Sequence, residues 1–120
     1  MQRTMMKSKI HRATVTATQL AYEGSISIDP VLLEAADILP GEQVHVLNVN
    51  TGARLVTYAI SGTRDSGEIM LNGPAARGAE PGDPVIVITY AAFDDADAHT
   101  HVPRVVLVTP ENASARIQGG

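Results

Sequence analysis

The sequence predicts a mainly β domain, a small barrel of about six short strands with few helices, and three observations carry that expectation. Hydrophobic residues make up 44% of the 120 residues but aromatics only 3%, so the core must be built from Val, Ile, Leu and Ala, which favours pleated structure. Strand-like segments alternate along the chain with Gly, Pro and Asn turn signals. Finally, Leu39-Pro40-Gly41-Glu42-Gln43-Val44-His45-Val46 is echoed by Glu80-Pro81-Gly82-Asp83-Pro84-Val85-Ile86-Val87. Both run turn, acid, strand. Two related halves folded into one barrel would account for the echo, and closure would hide the strand edges. Two ordinary turn-to-strand junctions are the alternative.

Residues 7–16 read as a strand, because Ile10, Thr14, Val15 and Thr16 suit a pleated surface and no breaker interrupts them. Period two sets Lys9, His11, Ala13 and Val15 on one face. After the break at Tyr22-Glu23-Gly24, a short strand covers residues 25–28. Asp29-Pro30 is an N-cap followed by Pro at the first helical position, opening a short helix through about residue 38, before Pro40-Gly41. Strands follow at 43–49, 53–60 and 69–71, the first two as a hairpin across Asn50-Thr51-Gly52. Residues 84–90 form the most apolar strand and 104–109 the last. The acidic Asp94-Asp95-Ala96-Asp97 stretch and the tail 113–120 read as solvated or mobile.

The chain, residues 1–120, suits a single domain with one core. Without cysteine, disulfides, thiolate metal sites and Cys nucleophiles are excluded. Net charge −4 weighs against nucleic acid as a partner, although Arg3, Lys7, Lys9 and Arg12 form a local basic group that suits a small anion. No apolar run reaches the roughly 20 residues that span a bilayer, and the first ten residues are too basic and too poor in apolar residues for a signal peptide. A cytoplasmic protein without membrane contact is expected. His11, His45, His99 and His101 raise a metal reading, with His99 and His101 on one side of a strand. Their Asp- and Ala-rich surroundings read instead as a solvated loop, and no acidic ligand has suitable spacing.

Gly24-Ser25 alone carries little information, because turns contain Gly-Ser routinely. Its surroundings carry more. It follows Tyr22-Glu23 and opens the alternating Ser25-Ile26-Ser27-Ile28, with Lys9-Ile10-His11-Arg12-Ala13 upstream. Downstream lie Arg54-Leu55-Val56-Thr57-Tyr58-Ala59-Ile60 and Asn72-Gly73-Pro74-Ala75-Ala76. In that order and spacing, across residues 3–103, these segments resemble the pyruvoyl-dependent aspartate 1-decarboxylase family.

The resemblance implies a six-stranded double-psi β-barrel, a homotetramer with sites between subunits, and L-aspartate as substrate. It implies a covalent pyruvoyl cofactor made from Ser25, with neither pyridoxal phosphate nor metal. The Ser25 hydroxyl would attack the Gly24 carbonyl, giving an ester that eliminates to dehydroalanine and hydrolyses to the ketone. Residues 1–24 and 25–120 would then be separate chains. Spontaneous cleavage and cleavage assisted by a maturation factor both stay open. By the same resemblance Thr57 donates to the developing oxyanion, a contact typically worth about 3 to 4 kcal/mol. Asn72 holds the cleavage loop, and His11 is a structural group near it.

In the mature enzyme the substrate amine would form a Schiff base, with carbanion charge spreading into the adjoining amide. Acid catalysis alone supplies about a hundred- to ten-thousandfold, too little without such an electron sink. Tyr58 matches the family's proton donor, giving β-alanine for pantothenate and coenzyme A synthesis; taken alone it is more readily a packed aromatic on a strand. Arg54 suits a substrate carboxylate because its planar fork binds two oxygens. Lys9 would add a second charge from a neighbouring subunit, although either cation is otherwise a solvated surface residue. Gly73, Pro74 and Ala75 would line the site through their backbone.

Two features sit awkwardly with this pattern. Alternation separates Thr57 from Arg54, Val56 and Tyr58, so a bulge or a site at the barrel rim is required. Pro74 stands where the family commonly has a small residue, and it can offer only a carbonyl. A non-catalytic binding module and a histidine-based metal enzyme are the rival readings, but neither explains Gly24-Ser25 together with Arg54, Thr57, Tyr58 and Asn72.

Overall fold

The computed structural model describes residues 1–120, the side chain of Ala115 excepted. The chain is mainly β, as the composition predicts, but with nine strands rather than six. They are β1 (Gln2–Thr14), β2 (Ala17–Gln19), β3 (Ser25–Ile28), β4 (Gln43–Asn48), β5 (Arg54–Ser61), β6 (Ile69–Asn72), β7 (Pro84–Asp94), β8 (Arg104–Val108) and β9 (Ser114–Gln118). The helices are α1 (Pro30–Ala35), a 3-10 turn (Gly73–Gly78) and α2 (Asp95–Thr100).

One hydrogen-bonded order, β2-β6-β3-β5-β4-β7-β1-β8-β9, contains all nine strands. Its course requires a curled sheet, since β1 and β2 lie far apart in that order yet are joined by Val15 and Thr16 alone. The link is itself bonded on both sides. Val15 donates to Asp83 O at 2.9 Å, just before β7, while Thr16 donates to Ile69 O at 2.8 Å, at the start of β6. Ile10, Val15, Ile26, Val44, Leu71 and Val87 fill the interior with negligible exposure. An aliphatic core of this kind follows directly from the composition.

The internal echo is a real structural repeat. Gly41 and Gly82 take φ of 89° and 94°, values that favour glycine at the third position of a turn after Pro. Glu42 N donates to Leu39 O and Asp83 N to Glu80 O, each at 3.0 Å. Each acid then reaches back: Leu39 N donates to Glu42 Oε1 and Glu80 N to Asp83 Oδ2, again at 3.0 Å. The strands that follow, β4 and β7, pair antiparallel at the centre of the sheet.

Three expectations need correction. The even face of Lys9, His11, Ala13 and Val15 is broken by a bulge, because Ile10 pairs with Val87 and Ala13 with Val85, leaving one extra residue on β1. Arg12 takes φ of 61° there, so Ala13 and Val15 turn into the core on the side of Ile10. The acidic stretch continues into α2, whose end holds His99 and whose C-cap is His101, rather than into a loop. Among the described side chains the tail is exposed as expected, but its backbone is regular, since β9 pairs antiparallel with β8.

Asp29 anchors the segment that leaves β3. Its carboxylate accepts from Val31 N at 2.9 Å as the N-cap of α1, and from Asp65 N at 3.1 Å and Gly67 N at 2.9 Å in the loop before β6. Burial alone would raise its pKa, but the hydrogen bonds from Gly67, Val31 and Asp65 and the charge of Arg64 outweigh it and hold the pKa low. A lowered folded pKa gives stability that is present above the unfolded value of about 3.9 and is lost as pH falls through the folded value. Asp29→Ala is expected to cost about 2 to 4 kcal/mol at pH 7, seen as a lower melting temperature, and the deficit should shrink below about pH 4.

Candidate active site

Ser25 is the first residue of β3 and pairs with Asn72, the last residue of β6. The pairing sets their side chains on one face, and Asn72 Nδ2 donates to Ser25 Oγ at 2.9 Å. The same nitrogen donates to Ser27 Oγ, also at 2.9 Å. Ser25 is 3% exposed and Asn72 0%, so water does not compete for these bonds. Ser25 Oγ in turn donates to Glu23 O at 3.4 Å, at the upper limit of a hydrogen bond. Asn72 Oδ1 is buried and has no partner among the described residues, an acceptor left open beside the serine.

Gly73 and Pro74 close over the loop that precedes Ser25. Gly73 takes φ of 61°, and a Cβ there would lie 2.5 Å from Tyr22 O, 2.8 Å from Gly24 N and 2.9 Å from Glu23 C. Only glycine lets the two backbones meet. Pro74 sits in the first turn of the 3-10 helix, where a missing N–H costs nothing, which explains why proline is accepted at this position. Gly24 behaves otherwise. Its φ is not left-handed and a Cβ would meet only Pro74 Cδ, at an ordinary 3.5 Å, so neither backbone nor space demands glycine there.

β5 supplies the next group. It runs parallel to β3 with Ile26 opposite Ala59. Extended back by one and by two residues, that register sets Ser25 level with Tyr58 and Gly24 level with Thr57. The β4–β5 ladder runs from Arg54 to Tyr58 with no irregularity, so no bulge is present. Thr57 faces inward opposite the buried Val44, whereas Arg54, Val56 and Tyr58 face outward. The separation expected from alternation is therefore real, and the site lies at the open start of β3.

A family model described as aspartate decarboxylase matches residues 1–115. The chain belongs to the aspartate decarboxylase family. Its activity is accordingly that of an aspartate 1-decarboxylase, and the outer face of the sheet holds cations fit for a dicarboxylate substrate. Lys9 pairs with Ile88, Ile88 with His45, and His45 with Val56, a row across β1, β7, β4 and β5 that places Lys9 on the face of Arg54 and Tyr58. His11 lies on β1 beside Leu107 of β8, with β5, β4 and β7 between it and Ser25 in the sheet order. Its Nδ1 is buried without a partner among the described residues. Burial first, then the charges of Lys9 and Arg12, lower its pKa and favour the neutral ring.

Two residues of this decarboxylase make contacts that the sequence does not assign to them. Ser27 shares the Asn72 amide, a role that the Ser-Ile-Ser alternation already hints at by setting both hydroxyls on one face. His45 Nδ1 lies 3.0 Å from Arg54 Nη1, and its ring meets Tyr90 edge-on at 4.9 Å. His45 also borders a depression of about 440 Å³ with Thr4, Gln43, Tyr90, Ala91 and Ala92. The remaining histidines have other partners: His101 Nε2 meets Met6 O at 2.8 Å, and His99 lies 3.5 Å from Asp95. No group of metal-ligating side chains occurs among the described residues.

The contrast between the two glycines is open to measurement. Gly73→Ala combines a left-handed backbone with a backbone clash and is expected to cost about 2 to 4 kcal/mol, whereas Gly24→Ala should cost less than about 1 kcal/mol. Melting temperatures of the two variants against wild type provide the comparison.

Proposed function

We propose that this aspartate decarboxylase acts through a pyruvoyl group that it makes from Ser25 by breaking its own backbone after Gly24. The observation that carries the reading is the buried Ser25 hydroxyl, held by Asn72 Nδ2 at 2.9 Å at the first position of a strand. Ser25 Oγ attacks the Gly24 carbonyl carbon, the C–N bond breaks, and the chain is joined by an ester with the residue-25 amine set free. Elimination then breaks the Cβ–Oγ bond and releases residues 1–24 with a carboxylate at Gly24. The dehydroalanine left behind takes up water and loses ammonia to give the ketone.

The side chains around Ser25 suit both stages. Thr57, level with Gly24 on the neighbouring strand, is the donor for the oxyanion on that carbonyl. It approaches from the inner side while the hydroxyl stays on the outer one, so a flat strand serves without a bulge. Asn72 Nδ2 fits an oxygen in either state, and its open Oδ1 can accept the N–H released as the peptide bond breaks. Gly73 keeps the loop pressed against the end of β6 and the 3-10 turn. His11 remains a neutral structural group rather than a direct partner of Ser25.

In the mature enzyme the ketone supplies the electron sink for loss of the α-carboxylate as carbon dioxide. Tyr58, level with residue 25 on the outer face, returns a proton to the α-carbon and yields β-alanine. Arg54 binds a substrate carboxylate through its planar fork. Gly73 and Ala75 with the Pro74 carbonyl line the substrate.

Within one chain Lys9 lies three strand steps from Arg54, roughly 14 Å at the usual spacing, which favours an Arg54 of another subunit as its partner. Exposed Val56 (54%), Tyr58 (38%) and Tyr90 (37%) on that face support its burial in an assembly, which we take to be a homotetramer with sites between subunits. The curled sheet with its twin turns supports the double-psi barrel. A cytoplasmic enzyme supplying β-alanine for pantothenate and coenzyme A completes the reading, with cleavage either spontaneous or aided by a maturation factor.

Intact mass spectrometry of purified protein should find two chains divided between residues 24 and 25, the second without a free amino terminus, while Ser25→Ala stays whole and inactive. An uncut wild-type chain with full decarboxylase activity would refute the reading. Tyr58→Phe should be cleaved normally, keep its KM and lose about a hundredfold or more in kcat; an unchanged kcat removes Tyr58 from the proton transfer.

A further inference from the structure

We propose that His45 is a positioning residue for Arg54, and this rests on the assignment of Arg54 to a substrate carboxylate. His45 and Arg54 are diagonal neighbours across the β4–β5 ladder, since His45 pairs directly with Val56. Such pairs lie within reach when one side chain is long. His45 Nδ1 and Arg54 Nη1 are 3.0 Å apart. An arginine offers donors and no acceptor and stays charged at any working pH. The ring nitrogen that faces it must therefore carry the lone pair, and the ring hydrogen is on Nε2. The partner sets the tautomer.

The ring is itself fixed in place. Tyr90 meets it edge-on, with centroids 4.9 Å apart and planes at 66°. Ile88 and Val56 flank it on the adjoining strands. His45 is only half-buried and Arg54 is exposed, so without such an anchor the long guanidinium side chain would sample many rotamers. Holding Nη1 leaves the Nε–Nη2 edge free, and that edge presents two parallel N–H groups to a carboxylate. The anchor thus removes conformational freedom before the substrate arrives, and its effect falls on affinity rather than on the chemical step.

The test uses purified enzyme whose state of cleavage has been checked by intact mass, with kinetics on L-aspartate and calorimetric titration with succinate. Succinate carries both carboxylates and no amine, so it reads binding without turnover. His45→Leu is expected to raise KM and the succinate dissociation constant about tenfold while kcat stays within about twofold. His45→Asn places an amide oxygen where Nδ1 stands and should return both constants most of the way to wild type.

Wild-type constants in His45→Leu, an equal loss in His45→Leu and His45→Asn, or a loss confined to kcat would each overturn the role. Should His45→Leu not fold, His45→Asn against His45→Gln decides: the shorter side chain must bind succinate at near wild-type strength, and weak binding by His45→Asn overturns the role. Arg54→Met, measured alongside, keeps the two readings apart. If it weakens binding and His45→Leu does not, only the His45 role fails; if Arg54→Met binds as wild type does, the assignment of Arg54 itself is wrong.

Discussion

Asn72 Nδ2 holds two hydroxyls on alternate residues of β3, each at 2.9 Å, and the candidate site is arranged around that single nitrogen. The arrangement needs the β3–β6 register, because a slip of one residue would turn Ser25 and Ser27 to the opposite face. It also needs burial, since an exposed amide would exchange the hydroxyls for water. Three small polar side chains placed under cover are costly unless they satisfy one another. They do so here except at Asn72 Oδ1, the acceptor beside the serine.

The sheet divides its labour between two faces. The inner face packs branched aliphatic side chains and takes Thr57 with them. The outer face carries Lys9, His45, Arg54, Tyr58 and Tyr90 at positions fixed by the pairing of four strands. A peptide bond at the start of β3 lies between these faces and can be approached from both. The twin Pro-Gly-acid turns launch the two central strands, and each acid folds back onto its own turn. Asp83 accepts from Glu80 N and from Asn48 and Asn50, and these bonds lower its pKa and keep it ionised.

Much of this was legible in the sequence wherever the determinant was local. Asp29-Pro30 announces a helix start because both residues act within one turn. Pro40-Gly41 and Pro81-Gly82 announce turns for the same reason. The β4–β5 hairpin follows from Asn50-Thr51-Gly52, although the strand ends differ by a residue. What stayed hidden depends on partners distant in sequence. Arg12 in a left-handed conformation has no local signature, yet it reverses the burial phase of β1. β8 pairs parallel to β1, and β9 joins only because β8 is already in place. Ser25, Tyr58 and Asn72 are singled out through a family pattern, whereas the contacts of Ser27 with Asn72 and of His45 with Arg54 depend on cross-strand register. The level of Thr57 with Gly24 has the same origin: alternation gives its face, and only the β3–β5 register carried back two residues gives its neighbour.

The position of the Gly24–Ser25 junction within the ladder has a consequence for the order of events. The segment ahead of it contains β1, bound to β7 and β8, and β2, bound to β6. The segment behind it begins with β3, bound to β5 and β6. Severing the junction therefore frees neither piece, and the nicked molecule keeps every strand pair of the whole one. Under the proposed cleavage the covalent link between residues 24 and 25 would nevertheless be lost, so two fragments separated by denaturation would have to meet again as a bimolecular pair. On the proposed mechanism assembly would therefore precede scission, because Asn72 has to be in place before the hydroxyl is aimed.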